Sequence, residues 1–109
     1  MMNGTYLKFF LDEGTRLHGI LAYEWLLETA KALGVHGGSA FRALAGYGRH
    51  GIIHEDHFFE LAGQLPVEVG FALTDDQADR LLAALANEKV SLFYVRYPVE
   101  FGFTAGRTG

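Results

Sequence analysis

Three histidines and two carboxylates crowd into one stretch of the chain, Gly46-Tyr47-Gly48-Arg49-His50-Gly51-Ile52-Ile53-His54-Glu55-Asp56-His57. His50, His54 and His57, with Glu55 and Asp56, supply imidazole and carboxylate, the usual donors for zinc and similar ions. Arg49 offers a planar fork that matches phosphate or carboxylate. Glycines on either side of Tyr47 let the backbone leave a strand and come close to a ligand. The segment therefore reads as a binding loop, for an anion, a metal or both. Nucleophilic catalysis has little support: the chain has no cysteine, and Ser39 has neither a nucleophile elbow nor a base and acid at fixed positions near it.

Composition narrows the choice. Nine Lys and Arg stand against thirteen Asp and Glu, for a formal net charge of −4. No basic stripe is available to neutralise a phosphate backbone, which argues against nucleic acid. Half of the 109 residues are apolar and 14% are aromatic, enough for one packed domain over residues 1–109. No apolar run approaches the roughly 18 residues of a membrane span, and the N-terminus lacks a charged-then-apolar signal. The expectation is a cytoplasmic protein that does not insert into a membrane.

These residues need elements to position them. Leu7, Phe9 and Leu11 alternate with Tyr6, Lys8 and Phe10, which predicts a first strand over residues 5–12, apolar on both faces and so buried on both. A helix is expected over 18–33, with Ala22, Trp25, Leu26, Ala30 and Leu33 on one side and Gly34 ending it. Residues 39–47 read as a second strand. Phe41, Ala43, Ala45 and Tyr47 fall on one of its faces and Ala40, Arg42 and Leu44 on the other. A long irregular loop follows over 46–63, a length usually reserved for function. The third strand is expected over 65–73. Thr74-Asp75-Asp76-Gln77 is a capping box that starts a second helix through Ala78, Leu81, Leu82 and Leu85. A last strand over 91–97 precedes Pro98 and a glycine-rich tail at 104–109. The order β-α-β-β-α-β with right-handed crossovers is a ferredoxin-like α+β sandwich: a four-stranded antiparallel sheet with both helices on one face. The uncovered face, expected to carry Tyr6, Phe10, Leu44, Leu92 and Tyr94, is too apolar to face water in a monomer, so a homo-oligomer is predicted.

Four short motifs in register add a family likeness. Gly34-Val35-His36-Gly37-Gly38-Ser39, Gly46-Tyr47-Gly48-Arg49, Leu65-Pro66-Val67-Glu68-Val69 and Thr74-Asp75-Asp76 resemble the PII signal-transduction proteins. The Gly-Tyr-Gly, His54 and Leu-Pro-Val pattern is most similar to a PII-like branch catalogued as a domain of unknown function (number one hundred and ninety). The likeness covers about residues 5–97. It implies a non-enzymatic homotrimer with adenine-nucleotide sites between subunits. It also implies a long loop that signals to a partner such as a membrane transporter or an enzyme. Carried over by motif, Gly37 and Ser39 fall at the turn facing the adenine, and Gly46, Gly48 and Arg49 at the loop base beside the phosphates. His50 falls where PII proteins keep a glutamine that helps hold metal and 2-oxoglutarate. Those proteins also cradle phosphates in a second glycine-rich loop, where this chain has Ala86-Asn87-Glu88-Lys89-Val90. Without a glycine nest, and with Lys89 alone to meet a phosphate, AMP, ADP or a cyclic nucleotide is expected in preference to ATP. Two other readings stay open. One is a divalent-metal-binding trimer of the cation-tolerance type using His50, His54 and His57. The other is a small phosphate-handling enzyme resembling acylphosphatases, with Arg16 in the loop after the first strand.

Overall fold

Alternation at Leu7, Phe9 and Leu11 builds the longest strand, β1 (Met2–Asp12), whose three apolar side chains are buried while the residues between them stay half-exposed. The computed structural model describes residues 2–47, 53–55 and 65–105. After β1 come two two-residue strands, β2 (Arg16–Leu17) and β3 (Ile20–Leu21), then helix α1 (Ala22–Ala32). Strand β4 (Gly38–Arg42) is followed by β5 (Ala45–Tyr47), β6 (Ile53–Glu55) and β7 (Pro66–Leu73). Helix α2 (Asp75–Asn87) and strand β8 (Phe93–Phe101) complete the chain.

The main sheet runs β4-β7-β1-β8, antiparallel throughout. Its inner face presents Leu7, Phe9, Val67, Val69, Phe71 and Leu73 to Leu26 and Ala30 of α1 and to Ala78, Leu81 and Leu85 of α2. This is the expected ferredoxin-like arrangement. The capping box is formed as read: Thr74 Oγ1 accepts from the Gln77 N–H at 3.1 Å, and the Gln77 side chain accepts from the Thr74 N–H at 3.0 Å. Among the described residues no helix is long and apolar enough to cross a membrane.

Four expectations change. Helix α1 begins at Ala22, not at residue 18, because His18 (φ 54°) and Gly19 (φ 80°) form a type I′ turn that closes the β2–β3 hairpin. The second strand breaks at Arg42, and Ala45–Tyr47 pairs instead with Ile53–Glu55, so part of the long loop is a small hairpin of its own. The last strand runs through Pro98 to Phe101. As β8 is an edge strand, a missing N–H is tolerated there. Finally, β1 is buried on one face only, and the membership of the open face differs from expectation. Tyr94 pairs with Phe9 and lies on the helix side, its ring 6.3 Å from that of Phe9. Leu92 packs against the core, and Leu44 sits in a bend outside the main sheet. The open face carries Tyr6, Phe10, Phe41, Phe93, Val95 and Tyr97, with Tyr6 stacked near Tyr97 at 5.6 Å and Phe10 near Phe93 at 5.7 Å. The Lys8–Glu68 ion pair, 2.8 Å long, crosses it. Glu68 holds the Lys8 ammonium pKa above its ordinary value, chiefly through this hydrogen bond.

Candidate functional site

Both helices end in the same turn, filled by different residues. At the end of α1 the Gly34 N–H donates to Lys31 O and the Val35 N–H to Ala30 O, with Gly34 at φ 87°. At the end of α2 the Lys89 N–H donates to Ala86 O and the Val90 N–H to Leu85 O, with Lys89 at φ 58°. Each is a Schellman motif, whose left-handed position usually holds glycine. The second carries a lysine. Its backbone N–H groups are turned back onto the helix, so the cation this turn offers an anion is the Lys89 side chain, which is exposed. Replacing Lys89 by glycine is expected to raise stability by about 0.5–1 kcal/mol, the left-handed penalty less the entropy glycine adds to the unfolded chain. A higher urea midpoint at unchanged slope is the check.

On the other side of the molecule, Gly37 is exposed, with open space where a Cβ would stand. Gly38, which sequence reasoning did not single out, is the glycine that packing requires: a Cβ there would lie 2.3 Å from the Phe71 ring. Ser39 is exposed on edge strand β4, opposite Gly70. Gly46 lies in β5 opposite His54 in β6, and its Cβ position is 3.5 Å from the Pro66 ring, ordinary contact distance. Gly48, Arg49, His50 and His57 lie outside the described residues. Among the described residues no three His, Asp or Glu side chains come together to hold a metal.

The structure therefore divides the candidate residues. Gly37 and Ser39 belong to edge strand β4 and the turn before it, whereas Lys89 leads into β8 at the opposite edge. Three strand spacings, about 14 Å, separate those edges within one chain.

Arg16 donates from Nη1 to the Gly19 carbonyl at 3.0 Å, which ties it to its own hairpin. A shallow groove of about 270 Å³ between β1, β8 and the start of α2 is lined by Thr5, Asp75 and Arg96 among others. Its Thr5, Asp75 and Arg96 side chains are already engaged. Thr5 donates to Asp75 at 2.6 Å and Arg96 to Asp79 at 3.1 Å. None of the candidate residues lines it.

An antiparallel sheet in this strand order, with two helices on one face and a long connection between the second and third main strands, is the fold of PII-like proteins. The chain matches CPII, a nitrogen regulatory PII-like protein from Thiomonas intermedia K12 solved with ADP, AMP and bicarbonate. The TM-score is 0.70 at 19% identity, over 96% of this chain and 93% of that one. It also matches a putative PII-like signaling protein, TTHA0516, from Thermus thermophilus, with a TM-score of 0.56 at 20% identity over 91% of this chain and 90% of that one.

Within that class the particular family follows from the sequence. Residues 4–99 match the DUF190 family, described as "Uncharacterized ACR, COG1993", and the chain belongs to it. A UPF0166 protein of Aquifex aeolicus is 37% identical over 76 residues, 70% of this chain and 72% of that protein. UPF0166 protein MJ1524 of Methanocaldococcus jannaschii is 29% identical over 85 residues, 78% of each.

Proposed function

We propose that this chain is a non-enzymatic PII-like regulator. Three copies assemble, and an adenine nucleotide, AMP or ADP in preference to ATP, binds in the clefts between them. Gly37 and Ser39 of one copy border the adenine, while Gly46, Gly48 and Arg49 at the loop base and Lys89 meet the phosphates. The loop carrying His50 and His54 changes state with the ligand and signals in the cytoplasm to a partner such as a transporter or an enzyme.

The observation that carries this reading is the division of candidate residues between opposite sheet edges. A site between copies would bring the two groups together. CPII, which shares the fold, was solved with ADP and AMP, which supports the choice of ligand class. The α2 turn supports the preference for few phosphates, since it offers one lysine and no glycine nest. A site built from two chains also couples binding to assembly, because a ligand shifts a conformational equilibrium only through its differential affinity for the states.

Thermal unfolding tests the reading. ADP at a hundred times its Kd is expected to add about 2.7 kcal/mol, a rise in Tm of roughly 10 °C for a chain of this size. Arg49→Ala is expected to remove most of that shift without lowering the Tm of the free protein. Failure of AMP, ADP and ATP alike to move the Tm would overturn the nucleotide reading. A shift with zinc that disappears on replacing His50, His54 and His57 would establish the metal-binding trimer in its place.

A further inference from the structure

Among the described residues only two non-glycine residues have positive φ, His18 at 54° and Lys89 at 58°. They are seventy-odd positions apart in sequence, on different elements, and yet the structure joins them. His18 at the tip of the β2–β3 hairpin places Nε2 2.6 Å from Oε1 of Glu88, the residue immediately before Lys89. Strained backbone clusters where the surrounding structure holds it for a purpose. Here each strained residue sits where a glycine would be more comfortable: the first central position of a type I′ turn and the left-handed position of a Schellman motif, which α1 fills with Gly34.

We infer that His18 is a positioning residue for the Lys89 cation, acting through Glu88. This rests on the reading of Lys89 as a phosphate contact. Without the hairpin, the Glu88 carboxylate is the nearest anion in sequence to Lys89; it would compete with a phosphate for the ammonium and repel the phosphate's own charge. The imidazole holds that carboxylate against the hairpin and leaves the lysine to the ligand. The β2–β3 hairpin, which sequence periodicity read as the start of a helix, thereby becomes part of the binding architecture although none of its residues need touch the nucleotide.

The test is a double-mutant cycle on the full chain, with ADP affinity read by calorimetry and fold integrity by Tm. His18→Gly suits the turn, so Tm is expected to hold or rise, while ADP affinity falls about two- to five-fold, the scale of a partly exposed ion pair. Glu88→Gln alone is expected to bind ADP at least as well as the parent, and His18→Gly in the Glu88→Gln background is expected to cost nothing further. His18→Asn, which tolerates a left-handed backbone and can still donate to the carboxylate, is expected to recover part of the affinity. An undiminished affinity in His18→Gly, or the same loss with and without the Glu88 carboxylate, would overturn the inference while leaving the nucleotide site standing. A parent protein that does not bind ADP would remove the site itself, and this role of His18 with it.

Discussion

Phe10→Asp is expected to leave each chain folded and to break the assembly into single chains. In one chain the Phe10 side chain is already 36% exposed, its ring 5.7 Å from that of Phe93, which is 70% exposed. Tyr6, Tyr97, Val95 and Phe41 extend the same surface. A continuous aromatic face of this kind seldom meets water in a monomer, and further copies of the chain are its proposed cover. Burying a whole phenylalanine is worth about 1.5–3 kcal/mol, and only the exposed third of Phe10 is left for association to bury, so roughly 0.5–1 kcal/mol per copy, or roughly 2–3 kcal/mol over three copies, is lost. The desolvation of three unpaired carboxylates acts in the same direction. Sedimentation velocity at micromolar concentration is the measurement. The parent should sediment as three copies and the variant as one, with unchanged far-ultraviolet circular dichroism. A parent that sediments as a single chain would end the argument for a shared site.

The neighbouring substitution has the opposite consequence. Phe9 is fully buried between the sheet and the helices. Phe9→Ala is expected to cost about 3–5 kcal/mol through lost burial and the cavity left behind, a large part of the roughly 5–15 kcal/mol that holds a domain of this size together. Urea unfolding should show the loss as a lower midpoint. The contrast between adjacent phenylalanines tests the parity of β1 directly: one residue supports the fold and the next supports the assembly. The reverse order, with Phe10 supporting the monomer and Phe9 dispensable to it, would mean that the strand is placed one residue out of register.

Local chemistry was legible wherever the deciding contacts lie within a few residues. The Thr74–Gln77 capping box spans one helical turn, and Gly34 needs only its own φ to end α1, so each could be read directly from the order of residues. The inner face of β1 was legible for a related reason, since Leu7, Phe9 and Leu11 repeat at the strand period. The hairpin at His18-Gly19 is not visible in the helical spacing, which on the face of Ala22 and Leu26 reaches only His18 and Gly19 before it. The turn signal was there in the His-Gly pair. Gly38 was passed over because nothing near it in sequence shows the Phe71 ring that fills its Cβ position.

The amino-acid order alone determined the β-α-β-β-α-β succession, one inner face, the end of α1, the start of α2 and the residue types of the long loop, since these depend on periodicity and short-range hydrogen bonding. The tertiary structure alone decided which side of β8 turns outward. Phe93, Tyr94, Val95 and Tyr97 are apolar at both parities, and only pairing with β1 assigns Tyr94 to the helix side and the other three to the open face. It likewise decided that Pro98 continues a strand, which is possible because β8 is paired on one side in the main sheet. Above all it placed Ser39 on one edge strand and Lys89 in the turn that leads to the other, and joined His18 to Glu88 across 70 residues. Such contacts depend on how distant segments meet in space, and no local pattern of residues encodes that.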